Sequence, residues 1–377
     1  MYLNLLVKHA KDSYLKVFYS VFSLFPIREK RIVFSSFYGK QFSGDPKAIY
    51  LLIEEMNLGT ECIWVLNNRE NRNFKTVNRY SLKHLYYLAT CQYRIDNCQE
   101  KSILRSRSGC VNVQTWHGTP VKKIAQDIEQ VGFSSIKKEW QKDALSWNYF
   151  ITSSKSTTDL LSNAFNISRD ICLEYGNPRN DILHAYSEDH VNNIKKKIGL
   201  NKDKKVILYA PTFRDGNDTF NIELDFNLLS KMLNDDYVFL VRMHSNIRQF
   251  KSVDVDGSFV VNVTDYDDVQ DLLLISDCLV TDYSSLFFDF ALLKRKMIFY
   301  AYDIEKYEMD SRGLYYNYRC FVPGNVVLNQ HELIDEILSE NVNEDIIDDF
   351  NNKYNSRSGD ATFSVLKEIG LIRDNYV

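Results

Sequence analysis

The chain has no surplus of basic residues: 46 Lys and Arg stand against 50 Asp and Glu, for a formal net charge of −4 at pH 7. A nucleic-acid partner is therefore not expected, and any anionic ligand has to be met by local basic patches. There is no CxxC pair and no Cys/His cluster. The 7 cysteines (Cys62, Cys91, Cys98, Cys110, Cys172, Cys278 and Cys320) are odd in number and scattered, which fits reduced, mostly buried thiols in a cytosolic setting. No uninterrupted apolar run approaches the ~20 residues of a membrane span. No secretory cleavage pattern, solenoid repeat or low-complexity tract appears.

What is present is ample core material. The 377 residues are 45% hydrophobic and 14% aromatic, enough for two domains at ~100–200 residues each. The N-terminal stretch carries a broad apolar face from Leu3 to Phe25 with Lys8, Lys11 and Lys16 beside it. It reads as a helix docked on its own domain, with an interfacial helix as the rival. From Arg31 the chain alternates strands and helices: strands over 31–37, 61–66, 93–96, 111–115 and 149–152, helices over 45–56, 81–92 and 154–165. A polar, Lys-rich section over 187–205 interrupts this rhythm, which then resumes with strands over 206–210, 237–241 and 259–263. The alternation predicts parallel sheets covered on both faces. The expected divisions are an amphipathic helix over 1–28, a first Rossmann-like domain over 29–187, a second over 188–343 and a helical tail over 344–377.

Open α/β sheets bind ligands at the carboxyl ends of their strands, and five unusual segments fall at such ends. They are Gln114–Pro120 (QTWHGTP), Tyr175–Asp181 (YGNPRND), Ala210–Asp215 (APTFRD), Val241–His244 (VRMH) and Thr281–Ser285 (TDYSS). Together they supply two histidines, three arginines and several hydroxyls, the inventory for holding a pyrophosphate and moving a proton. His117 before Gly118-Thr119-Pro120 suits a general base at a turn, with a structural histidine as the rival. Arg242 and His244 alternate onto one side of a strand end, which suits phosphate. In the stretch 279–303 a strand leads through Ser284 and Ser285 into an apolar helix, so that turn is either a helix cap or a phosphate site. The acidic run Asp265, Asp267, Asp268 reads as a cap for the helix that follows, and no metal site is expected.

These segments, read as TWHGTPVKKI, YGNPRND, LYAPTFRD, VRMH and VTDYSSLFFDFALLKRKMIFYAYDIEKY, resemble the CDP-glycerol glycerophosphotransferase family of teichoic acid and capsule synthesis, in the family's order from about Arg31 to about Tyr316. The resemblance implies a GT-B architecture, two Rossmann-like domains with parallel sheets facing a central cleft. It implies a metal-independent, cofactor-free attack of an acceptor hydroxyl on the β-phosphorus of CDP-glycerol, with CMP leaving. His117 would be the base, and His244 with Arg242 would neutralise phosphate. Asp282, Ser284 and Ser285 would form the pyrophosphate turn, Thr212, Arg214, Arg179 and Asp181 would complete the donor site, and Asp289 would reach the ribose. The absence of an extra N-terminal domain leans toward a shorter, priming type of enzyme.

A lipid-linked glycan acceptor, implied by the same resemblance, gives a role to the basic region Lys101, Arg105, Arg107, Lys122, Lys123, Lys137, Lys138 and Lys142. With Phe133, Trp140 and Trp147 interleaved, it would dock on the cytoplasmic face of the membrane as a peripheral surface. The competing readings are a GT-B glycosyltransferase using a nucleotide sugar, a CDP-ribitol-dependent transferase, and a catalytically silent protein that grips a lipid-linked anionic polymer.

Overall fold

The computed structural model describes residues 2–67, 72–130, 132–201, 203–212, 214, 222–233, 236–243, 259–310 and 312–372. Two compact units emerge. Unit 1 comprises Met1–His117, Ala125–Asp181 and Arg357–Val377, and unit 2 comprises Gly118–Ile124 and Ile182–Ser356.

Unit 1 is built on strands β1 (Arg28–Ser35), β2 (Glu61–Val65), β3 (Thr76–Val77), β4 (Cys91–Asp96), β5 (Val111–Gln114), β6 (Tyr149–Thr152) and β7 (Cys172–Glu174). They lie in the order β3-β2-β1-β4-β5-β6-β7, and every pairing is parallel. Alternation along β1 sends Ile32 and Phe34 into one core, with Ile53, Trp64, Ile95 and Val113, and Val33 into another, with Leu15, Ile63 and Leu85. Both faces are thus covered, which is why these strands read as nearly continuous apolar runs. The helix Tyr2–Phe22 docks on the second face. Leu15 is fully buried there, and the Tyr19 hydroxyl donates to Arg105 O at 2.7 Å. The docked alternative for this segment is the observed one.

Unit 2 repeats the design with β8 (Lys205–Ala210), β9 (Tyr237–Val241), β10 (Val260–Asn262), β11 (Cys278–Thr281), β12 (Lys296–Tyr300) and β13 (Asn325–Val327). Their order is β10-β9-β8-β11-β12-β13, again parallel throughout. Leu208, Leu279 and Phe299 face one core, and Ile207, Val280 and Ile298 face the other. Each sheet therefore has Rossmann order, as GT-B proteins do, and each has one place where the chain reverses its direction of strand addition. That place lies between β1 and β4 in unit 1 and between β8 and β11 in unit 2, and a crevice for ligand opens at the carboxyl ends of such a strand pair.

Candidate active site

At the reversal point of unit 2 the ends of β8 and β11 are tied directly. Thr281 Oγ1 donates to Ala210 O at 2.7 Å, and Thr212 N donates to Asp282 Oδ1 at 2.7 Å. Asp282 is 2% exposed. Burial raises its carboxyl above the usual range, while Arg214 pulls it back. Arg214 is the hub: Nη1 donates to Asp282 Oδ2 at 2.9 Å and to Thr212 O at 2.6 Å, while Nε and Nη2 take both oxygens of Asp303 at 2.8 and 3.0 Å. A planar fork matched to a carboxylate is what Arg provides and Lys does not. The Tyr283 ring stacks on Tyr307 at 3.6 Å, and its hydroxyl donates to Asp303 Oδ1 at 3.1 Å.

The turn that follows leads into a short helix, Leu286–Phe290, continued by a 3-10 turn over Ala291–Leu293. Ser284 Oγ accepts from Leu286 N at 3.2 Å, whereas the Ser285 side chain makes no cap hydrogen bond. Both serines are half-buried. Asp289 lies on this helix, buried, and accepts from Gln270 Nε2 at 3.1 Å. Arg242 follows β9, where its Nη1 donates to Val263 O and Tyr266 O at 3.3 and 2.5 Å. His244 lies outside the described residues. Asp268 caps the helix Val269–Ile275 by accepting from Gln270 N, as expected for that acidic run. Among the described residues no group of three or more His, Cys, Asp or Glu could hold a metal ion.

In unit 1, His117 sits just beyond β5, exposed. Its Nδ1 lies 2.8 Å from Asn97 O. A carbonyl can only accept, so Nδ1 is the donor, and in the neutral imidazole the basic lone pair is then on Nε2. Trp116, at φ +55°, packs 4.1 Å from the imidazole centroid. Asn97 is itself fixed, accepting from Phe37 N at 2.8 Å and donating to Ser36 Oγ at 3.0 Å.

Arg179 and Asp181 belong to unit 1. Arg179 is 8% exposed, and its backbone N and Nη1 donate to the fully buried Asp45 at 3.0 and 2.7 Å. Asp181 caps the helix Ala361–Glu368, accepting from Ala361 N, Thr362 N and Thr362 Oγ1. The basic region also divides. Lys137 and Lys138 lie on the unit 1 helix Ser134–Ala144, and Lys137 Nζ donates to Gln126 O. Trp140 packs edge-on to Trp116 at 6.4 Å. Trp147, expected on the surface, is 7% exposed and stacks on Phe150. Lys122 and Lys123 belong instead to unit 2. Asp45, Asn97, Asp303 and Tyr307 were not singled out from sequence. Asn97 and Asp303 each follow a strand, so the strand-end rule could have found them.

The family model for CDP-glycerol:poly(glycerophosphate) glycerophosphotransferase matches residues 17–370. The teichoic acid glycerol-phosphate transferase of Staphylococcus aureus is 38% identical over 342 residues, covering 85% of this chain and 87% of that protein. The teichoic acid poly(glycerol phosphate) polymerase of Bacillus spizizenii is 36% identical over 340 residues, covering 85% and 86%. A structure of the wall teichoic acid polymerase TagF soaked with CDPG aligns with a TM-score of 0.88 at 31% identity, covering 97% of this chain and 95% of that one. With more than nine-tenths of its length inside the matched region, the chain belongs to the CDP-glycerol:poly(glycerophosphate) glycerophosphotransferase family.

Proposed function

We propose that this enzyme transfers glycerol phosphate from CDP-glycerol to a hydroxyl of a lipid-linked glycan acceptor in teichoic acid or capsular polysaccharide synthesis. The acceptor oxygen attacks the β-phosphorus, the bond to the bridging oxygen breaks, and CMP leaves. His117 Nε2 takes the hydroxyl proton. In unit 2 the turn at Ser284 and Ser285 receives the diphosphate, with Arg242 and His244 adding charge and Asp289 reaching the ribose. Arg214 holds Asp282 and Thr212 in place beneath that turn. Lys137 and Lys138 lie on the side that meets the lipid acceptor, at the cytoplasmic face of the membrane. Among the described residues no helix is long and apolar enough to cross a membrane.

The observation that carries this reading is the hydrogen bond from His117 to Asn97 O, which sets the tautomer a general base needs within a family whose reaction requires one proton to be removed. Phosphoryl transfer otherwise depends on positioning and charge neutralisation. His117→Ala is expected to lose turnover by ~10²–10⁴-fold while calorimetric affinity for CDP-glycerol changes little. Near-normal turnover in the purified variant would remove His117 from the role of base.

A further inference from the structure

In unit 1, β4 and β5 are parallel neighbours with Tyr93 opposite Val111, and a cysteine stands at the start of each. Cys91 is the first residue of β4, and Cys110 immediately precedes β5. Both belong to the core that also receives Leu15, Tyr19 and Leu104, and their sulfurs lie 3.9 Å apart. Cys91 is fully buried and Cys110 is 6% exposed. The exposed residues Ser108 and Gly109 lead into Cys110, so a small solute reaches the pair from that side.

What separates this pair from two thiols packed in a core is the cation beside it. Arg94 is 6% exposed, and its three hydrogen bonds go to neutral oxygens. Nη1 donates to Leu104 O at 2.5 Å, and Nη2 donates to Leu88 O at 2.9 Å and to the Tyr19 hydroxyl. Nε makes no hydrogen bond. Burial works against this charge, and the ionisable groups that favour it are Tyr19, Cys110 and Cys91. A buried guanidinium bonded only to neutral groups calls for an anion nearby, and a thiolate supplies one. Cys110 is the sulfur held below the usual thiol range, because Cys91 donates to it and Arg94 and Arg107 add positive charge against burial. Burial pushes the Cys91 thiol up. A thiolate and a thiol in contact next to a cation are the arrangement of a reactive dithiol.

We propose that Cys91 and Cys110 are a reversible thiol–disulfide site that reacts with hydrogen peroxide, Cys110 attacking and Cys91 resolving. The Cys110 thiolate attacks one peroxide oxygen, the O–O bond breaks, and the hydroxide that leaves takes up the proton Cys110 had released. The Cys91 sulfur then attacks the sulfenic sulfur of Cys110, the S–O bond breaks, and the departing oxygen leaves as water with the Cys91 proton. Two thiols lose two electrons and one peroxide becomes two waters. The sulfurs have about 2 Å to close, which rotation about the Cα–Cβ bonds covers. The new bond pins at their starts the two strands whose far ends lead to Asn97 and His117.

The test takes the full chain, reduced and freed of reductant, through stoichiometric hydrogen peroxide without denaturant, then alkylates it in urea and weighs it intact and as peptides. Expected are the loss of two of the 7 alkylatable cysteines, a peptide pair joined through Cys91 and Cys110, and recovery of both thiols with dithiothreitol. In Cys91→Ser the reaction stops at the sulfenic acid, so dimedone should label Cys110. In Cys110→Ser the remaining Cys91 should stay an unlabelled thiol. Wild-type protein in which Cys91 and Cys110 remain alkylatable while the exposed Cys320 is oxidised overturns the site. A Cys91–Cys110 bond that forms only when urea precedes the peroxide overturns it equally, since the folded pair would then be inert. Dimedone on Cys91 in Cys110→Ser, with none on Cys110 in Cys91→Ser, overturns the order of attack.

Discussion

Arg214 shows what a single residue contributes to this site and how far sequence could see it. Its position after β8 marked it as a strand-end cation, and so did the positions of Thr212 and Asp282, which it joins. What the strand-end rule cannot supply is the partner: Asp303 and Tyr307 lie far along the chain, and only the order of β8, β11 and β12 brings them to Arg214. The consequence is that Arg214 is first a positioning residue. Its side chain is 13% exposed and Asp282 only 2%, so truncating it leaves a buried carboxylate without its partner. Arg214→Ala should cost about 3–5 kcal/mol, read as an earlier urea midpoint for unit 2. Arg214→Lys should fall between, because an ammonium cannot span two carboxylates. A midpoint unchanged in Arg214→Ala would mean that Asp282 and Thr212 hold their geometry unaided.

At the scale of elements, the turn after β4 supports the proposed base and is itself supported by buried acids. Asp96 Oδ1 accepts from Cys98 N, and Asp143 Oδ2 accepts from Glu100 N. Glu100 Oε1 accepts from Arg79 and Tyr80, and His84 Nδ1 accepts from Tyr80 N. Burial pushes Asp96 up to about 7 and Asp143 up to about 8, and holds His84 down to about 4. For the two aspartates the folded value lies above the unfolded one, near 3.9. Their contribution to stability is therefore full below about pH 4 and is lost as pH rises through about 7 to 8. Glu100 shifts the opposite way, lowered by Arg79 and His84 against burial. Asp143→Asn mimics the protonated form and should gain in melting temperature over wild type as pH climbs from 4 to 9. Melting curves that run parallel across that range would show that Asp143 is ionised throughout. The helix carrying Asp143, Ser134–Ala144, was not read from sequence, because its apolar residues are few among lysines and acids. The strands β3 and β7, of 2 and 3 residues, are too short to show a period. The long central strands and the helices capped by Ser81 and Ser154 were legible because alternation and cap chemistry agree there.

For the whole molecule, the chain leaves unit 2 at Ser356 and ends in unit 1, a path that the helical tail read from sequence did not reveal. Periodicity reports which face of a helix is apolar, and says nothing of which core receives it. The helix Glu344–Tyr354 puts Ile347, Phe350 and Tyr354 into the unit 2 core, whereas Ala361–Glu368 and the residues after it put Val365, Leu366, Ile369 and Ile372 against Ile32, Phe34 and Trp64. The YGNPRND segment, read as ligand-binding, explains how this return is held. A Cβ on Gly176, at φ +98°, would come within 2.4 Å of Arg357 O, so only glycine admits the incoming strand of chain. Arg357 N donates to Ser153 O, and Asp181 caps the returning helix. Four large aliphatic side chains at ~1.5–3 kcal/mol each amount to about as much as the ~5–15 kcal/mol that holds a typical domain together. A chain ending at Ser356 should therefore lose cooperative melting of unit 1 and become susceptible to proteolysis within residues 28–181, while unit 2 keeps its own transition. If that truncated chain melted at the wild-type temperature with both units protected, the C-terminal helix would be an ornament on unit 1 and the Gly176 and Asp181 contacts would need another reason.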